Sequence, residues 1–282
     1  MHPAGNEVIG HAYSAAGTLC QEQPMRILAL SLPSLFLVPI SAPVAAAQPK
    51  EIHQTLPLDP KGEFSLTTFK GEVKLAAWDR SEVKLDARIE ADPSCGDDAY
   101  QAERIKNTEI RIRSSPAAVQ VSTEYPQQIP YGGEGCSSAP FVNYQISVPA
   151  TAKVQVLDHK SKLQISNLRA DLRVQTHKGQ LDIRGLEGAL NLETHKGTGR
   201  ATFSKWAQAS RFETHKGNLE IVVPKGAGIN LDASLGRRGQ LDSDLAGVKD
   251  RASSGRIQKA LNGGGPELQL TTFKGTFRLV QG

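Results

Sequence analysis

From Leu172 the chain alternates. Leu172, Val174 and Thr176 fall on one side of an extended backbone and Arg173 and Gln175 on the other, and after a short break Leu181 and Ile183 resume the pattern. Period two predicts strands with one buried face. The pattern recurs at Leu190, Leu192 and Thr194 and at Leu219, Ile221 and Val223. Two kinds of break punctuate it. One is "THKG", at Thr176–Gly179, Thr194–Gly197 and Thr214–Gly217, with a degraded copy "DHKS" at Asp158–Ser161. The other is "SNLRAD", "RGLEGA" or "PKGAG", rich in glycine, asparagine or proline.

Aligned on the turn residue, the units fall at Ser161, Gly179, Gly197, Gly217, Gly236, Gly255 and Gly275, 18 to 20 residues apart. Each unit reads strand, turn, strand, turn. Strands so short and regular leave no room for crossover helices, so the chain coils on itself or meanders up and down, and near-identical units favour coiling, with equivalent positions stacked about 4.8 Å apart. The predicted class is all-β, a β-solenoid-like array of about 18–20 residues per unit, with an inserted hairpin and loop near residues 92–144. Leucine-rich repeats have a nearby period, but their closing asparagine or cysteine is missing and the second half of each unit reads as strand.

The turn itself is readable in part. Glycine after lysine supplies positive φ for a tight corner. Threonine keeps the inward register, and histidine and lysine fall outside at the corner. Phenylalanine takes the histidine slot in "LTTFKG", at Leu66–Gly71 and Leu270–Gly275.

Around the array, Lys61–Ala91 has the same strand and turn grammar. Between Asp92 and Tyr144 the pattern changes: "TEIRIRS" and "AAVQVSTEY" form a hairpin around Ser114–Pro116, a candidate cap for an open sheet edge, and "PQQIPYGGEGCSSAP" follows as a loop.

The stretch from Met25 to Ala47 has Arg26, an apolar run from Ile27 to Ile40 broken by Pro33 and Pro39, and small residues before Gln48. It reads as a cleaved signal peptide, too short for a membrane span. Residues 1–24 fit no signal peptide and are read as lying upstream of the true start at Met25. The domain expectation is therefore 1–24 extension, 25–47 signal peptide, 48–91 first repeat segment, 92–150 hairpin and loop, and 151–282 repeat array. Export, to the periplasm or to the cell surface, places Cys95 and Cys136 in an oxidising compartment, where a disulfide between them is the default. The 39% hydrophobic content suffices for a core, and a net charge of +4 with 5% aromatics gives no footprint for nucleic acid.

The run "VNYQISVPATAKVQVLDHKSKLQISNLRADLRVQTHKGQLDIRGLEGALNLETHKG" resembles the bacterial putative-adhesin family of β-strand repeats. The likeness rests on Val148–Pro149, on Val154 and Val156, and on Gly179, Gly185, Gly188 and Gly197, and it spans roughly Glu51 to the C-terminus. Ser161 departs from the pattern where a turn glycine is usual. The resemblance implies an exported, repeat-built β protein near the cell envelope, and brings no catalytic residues with it.

No nucleophile elbow, zinc-protease motif, phosphate loop or calcium loop is present. Asp97 and Asp98 read as a solvated loop. Three readings compete for the column of His159, His177, His195 and His215 with Lys160, Lys178, Lys196 and Lys216. It is a plain exposed turn, a metal site disfavoured by the lysines, or an edge that binds anionic envelope polysaccharide or lipid headgroups. The expected function is a non-enzymatic envelope-binding scaffold without cofactor. A carbohydrate-active β-helix enzyme and an envelope-stress sensor acting through a protein partner are the alternatives. The terminal strand "GTFRLV" is expected to be an exposed edge through which two copies could pair.

Overall fold

The computed structural model describes residues 47–94, 98–125, 139–248 and 251–282. The N-terminal extension, the signal segment up to residue 46 and both cysteines of the expected disulfide lie outside the described residues. Among the described residues no helix is long and apolar enough to cross a membrane.

The first part holds β1 (Lys50–Pro57), β2 (Glu63–Thr67), β3 (Glu72–Trp78), β4 (Glu82–Glu90), the helix α1 (Asp98–Asn107), β5 (Glu109–Ser114), β6 (Ala118–Glu124) and β7 (Phe141–Pro149). The array follows as β8 (Lys153–Asp158), β9 (Lys162–Ser166), β10 (Leu172–Thr176), β11 (Gln180–Leu186), β12 (Leu190–Thr194), β13 (Thr198–Phe203), β14 (Ser210–Thr214) and β15 (Asn218–Val223). The chain ends with β16 (Ile229–Ser243), β17 (Arg251–Leu261), β18 (Glu267–Thr272) and β19 (Thr276–Gln281).

The strands pair as two parallel ladders. One runs β6, β2, β8, β10, β12, β14, β18 and the first half of β16. The other runs β7, β3, β9, β11, β13, β15, β19 and the second half of β16. Within each rung, positions one repeat apart pair directly, as Leu172 with Leu190 and Val174 with Leu192. The alternation therefore turns the same residues inward on every rung. Phe64, Val156, Val174, Leu192, Phe212 and Leu270 on one ladder, with Leu75, Ile165, Ile183, Ile221 and Leu279 on the other, are all buried. Each such side chain contributes about 1.5–3 kcal/mol on burial.

The all-β class holds, whereas the free-ended coil of seven units does not. β16 is 15 residues long and spans both ladders, so the 19 strands of the described residues join in one sheet that folds back on itself, barrel-like and nearly closed. It pairs antiparallel with β17, and this hairpin is the last layer. β18 and β19, later in sequence, fill the space between β14 and β15 and that layer. Gly236 and Gly255 thus do not mark further units: Gly255 faces Leu235 inside the hairpin. β19, which carries "GTFRLV", is flanked by β15 and β16, so it offers no free edge and loses its basis as a dimer seam.

At the opposite end, the expected hairpin of β5 and β6 forms and lies beside β2. β4 and β1 extend the other ladder antiparallel beyond β7. The helix α1 replaces what the sequence suggested was loop. Its Ala, Gln and Glu residues favour helix, Arg104 and Lys106 sit in the last turn where they complement the dipole, and Tyr100 and Ile105 are buried. Asp98, expected in that loop, is its first residue.

Candidate functional site

The "THKG" turns form the corner where one ladder passes to the other, and each of the four residue types there has its own environment. The threonines point inward. Pairing places Asp158, Thr176, Thr194, Thr214 and Thr272 in one buried or half-buried row. Each hydroxyl accepts from the glycine amide that closes its own turn: Gly179 N to Thr176 Oγ1 at 2.9 Å, Gly197 N to Thr194 at 2.8 Å, Gly217 N to Thr214 at 2.7 Å and Gly275 N to Thr272 at 2.8 Å. In the degraded copy the Asp158 carboxylate substitutes, accepting from Ser161 N at 3.0 Å and from the Thr176 hydroxyl at 2.6 Å. The turn keeps its closing acceptor because an acidic side chain stands where the other copies have threonine.

The glycines do not serve the purpose the sequence suggested. Of the turn residues in this corner only Gly71 has positive φ, at 136°. The others are needed for space. A Cβ on Gly217 would lie 2.6 Å from Thr214 Oγ1 and closer still to the Gly197 carbonyl oxygen, and a Cβ on Gly275 would meet Thr272 Oγ1 at 2.9 Å and the Gly217 oxygen closer. At these levels the rungs approach too tightly for a side chain, and only at the first level is one accommodated, that of the buried Ser161.

The histidines are half-buried and stack into a column that phenylalanine closes at both ends. Ring centroids are 4.7 Å apart for Phe69 and His159, 5.0 Å for His159 and His177, 4.7 Å for His177 and His195, 4.8 Å for His195 and His215, and 5.1 Å for His215 and Phe273. The two copies of "LTTFKG" therefore sit at opposite ends of the ring stack. Nδ1 of His159, His195 and His215 is buried without a hydrogen-bond partner. Burial, followed by the neighbouring His177, holds His159 below the ordinary imidazole range, and burial with His177 and His215 does the same to His195. Protonation would put a second N–H against that unpaired site and a charge against the next ring.

This geometry weighs against the metal reading. His177 and His195 lie within 6° of parallel and His195 and His215 within 8°, so their lone pairs lie in parallel planes about one ring spacing apart. That spacing exceeds twice a Zn–N bond of about 2.1 Å.

Lys160, Lys178, Lys196 and Lys216 project outward and are exposed. Their backbone continues the ladder through the corner, with Lys178 N to His159 O at 2.7 Å, Lys196 N to His177 O at 2.8 Å and Lys216 N to His195 O at 2.9 Å. Three further cations, missed from the sequence, lengthen the row. Lys274 N donates to His215 O at 2.9 Å and Arg238 N to Phe273 O at 3.3 Å, so Lys274 is the next level, with Arg237 and Arg238 beyond it. Because Gln240 pairs with Thr276, the turn glycine of that layer is Gly239, three positions from where spacing put it. "FKG" and "RRG" were the available signals. At the other end Lys70 turns inward to a buried ion pair with Asp92 and ends the stripe.

No family model matches the chain, and no curated protein matches it. Solved structures give distant likenesses. A putative cell adhesion protein from Clostridium sporogenes aligns at 12% identity over 83% of this chain and 100% of its own, with a TM-score of 0.44. A putative adhesin from Bacteroides fragilis aligns at 7% identity over 84% and 99%, with a TM-score of 0.31.

Two neighbouring surfaces bound the stripe. On one side, a groove of about 680 Å³ runs along the histidine edges and is walled by Gln175, Glu193 and Glu213. Those acids are engaged locally, Glu193 accepting from Gln175 at 2.9 Å and Glu213 from Arg211 at 2.8 Å. On the other side, the first outward row of the second ladder is uncharged at Gln180, Thr198, Asn218 and Thr276. Among the described residues no acid pairs with Lys178, Lys196 or Lys216. What the corner can do chemically is present a straight row of unneutralised cations.

Proposed function

We propose that the protein is a non-catalytic envelope scaffold, exported and adhesin-like, that holds linear anionic polymers along its basic corner. The observation that carries this reading is the row Lys160, Lys178, Lys196, Lys216, Lys274 and Arg238, which the pairing register sets one per rung. Five intervals of about 4.8 Å make a stripe roughly 24 Å long. Like charges at that spacing repel, and a polymer with repeating carboxylates, sulfates or phosphates relieves the repulsion along its whole length. The fold itself does not need these side chains, since the turn is closed by threonine and glycine and the stack tolerates phenylalanine.

The test is retention of residues 48–282 on immobilised lipopolysaccharide, polygalacturonate and dextran sulfate at increasing salt. Binding is expected at low salt and should fade as screening shortens the reach of exposed charges. Lys178→Gln, Lys196→Gln and Lys216→Gln combined should weaken it by roughly a hundredfold, from about tenfold or less per exposed pair. Equal retention by parent and triple variant would refute the assignment.

A further inference from the structure

The histidine column is not part of the proposed row of cations, and it is not needed to close the turn. Phe69 and Phe273 occupy the same slot at its two ends, stacked at the same spacing. Four consecutive levels nevertheless carry imidazole, each one residue from an exposed lysine of the stripe. Phenylalanine and histidine differ there in one respect that the geometry makes consequential, which is that histidine can take up a proton.

We infer that the four stacked imidazoles form a proton store that strengthens anion capture on the adjoining basic stripe as the pH falls below neutrality, an inference that rests on the binding reading above. The groups facing the column are mostly cationic or neutral. Along the corner they are Lys160, Lys178, Lys196, Lys216 and Lys274, with Arg238 past the last ring. Across the groove they are Gln175, Thr271, Glu193 and Glu213, the last already held by Arg211. Behind the first level lies Asp158, whose carboxylate is committed to Ser161 N and the Thr176 hydroxyl, and the Tyr125 ring packs edgewise on Phe69.

In this setting His159 and His195 resist charging, because burial disfavours an imidazolium there and it would face lysines and a neighbouring ring 4.7–5.0 Å away. A polyanion laid along the lysines reverses the sign of the local field. It draws protons onto the histidines, and by reciprocity each proton tightens its hold. Two added charges, each about 7 Å from a bound anion in water, give about threefold apiece and about tenfold together. Capture in mildly acidic surroundings and release on return to neutrality follow.

The experiment uses dextran sulfate, whose sulfates keep a fixed charge over the working range, with residues 48–282 at constant ionic strength. Affinity is measured at pH 8.0 and pH 5.5 for the parent and for His177→Phe, His195→Phe and His215→Phe combined. The parent should bind about tenfold tighter at the lower pH. The triple variant should match it at pH 8.0 and change by less than about twofold. Calorimetry at pH 6.5 in two buffers of different ionisation enthalpy should show more proton uptake by the parent than by the variant, which keeps only His159 of the column. If the triple variant does not fold by circular dichroism, His195→Phe alone should lower the proton uptake. Binding that does not change with pH, or that changes equally in the variant, overturns the inference and leaves the binding reading intact. Absence of binding at both pH values sinks both.

Discussion

Replacing Gly217 by alanine tests the claim that the corner glycines are there for space. The added Cβ would lie 2.6 Å from Thr214 Oγ1, 3.1 Å from the Gly197 carbonyl carbon and nearer still to its oxygen, and none of these is the free end of a flexible side chain. Relief requires the Thr214 hydroxyl to leave the Gly217 amide, a bond of 2.7 Å, or the rung to lift from its neighbour. Overpacking costs about 1–3 kcal/mol and a lost buried hydrogen bond about 1 more, so about 3 kcal/mol is expected. In a domain of this size that lowers the melting temperature by roughly 6–12 °C. Gly226→Ala is the control. Gly226 has φ +76° with nothing within 4 Å of its would-be Cβ, so the change costs only backbone strain, about 1 kcal/mol. Thermal and urea unfolding followed by far-ultraviolet circular dichroism would give both values. A Gly217→Ala cost within about 0.5 kcal/mol of zero, or one no larger than that of Gly226→Ala, would refute the steric argument.

Thr194→Val keeps shape but removes the acceptor for Gly197 N, now 2.8 Å away, leaving a buried amide unpaired; urea titration should show a loss of about 1–3 kcal/mol, and Thr194→Ser should recover most of it. The depressed His159 and His195 give a pH signature: the unfolded chain binds their protons near the ordinary value of 6.5 and the folded chain only lower, so stability is full above that range and falls as pH drops through it. His53, raised beside Asp86, acts in the opposite direction, so the readout is the difference in melting temperature between pH 7.5 and pH 5.5 for parent and for the triple His→Phe variant. The parent should lose more; an equal loss would place the acid sensitivity outside the stack.

Strand identity was legible because alternation is local: which side of Leu172–Thr176 faces the core follows from its own five residues. So was the pairing register within the array, since a slip by one residue would turn Val174 and Leu192 outward. Layer order was not legible. Nothing in residues 218–282 says that β18 rather than β16 lies against β14, because both present inward leucines at the right spacing and the choice is made by packing between distant segments. Gly236 was aligned where Gly239 belongs for the same reason, as the extra residue that shifts the register shows only when β16 is laid on β19. α1 was hidden by its setting, a short polar run between strands. The site was half visible. The string "LTTFKG" occurs twice, and its meaning, an end to the ring column, needed the stack to be seen.

The division of labour inside four residues separates what the fold requires from what it merely permits. Thr194 and Gly197 cannot be exchanged freely: one closes the turn by hydrogen bond and the other leaves room for the Gly179 carbonyl of the preceding rung. The ring position needs only a flat side chain, as Phe69 and Phe273 demonstrate, and the outermost position needs nothing, because its lysine projects into solvent without an ion pair among the described residues. A fold indifferent to two positions would leave them to drift rung by rung into the mixed polar residues found elsewhere on its outer faces, such as the row Gln155, Arg173, Asn191 and Arg211. Instead the permitted positions are filled with imidazole and ammonium at four successive levels, at the cost of like charges in register. Folding physics gives no return on that choice, and the proposed function offers one in an anionic polymer laid along the corner.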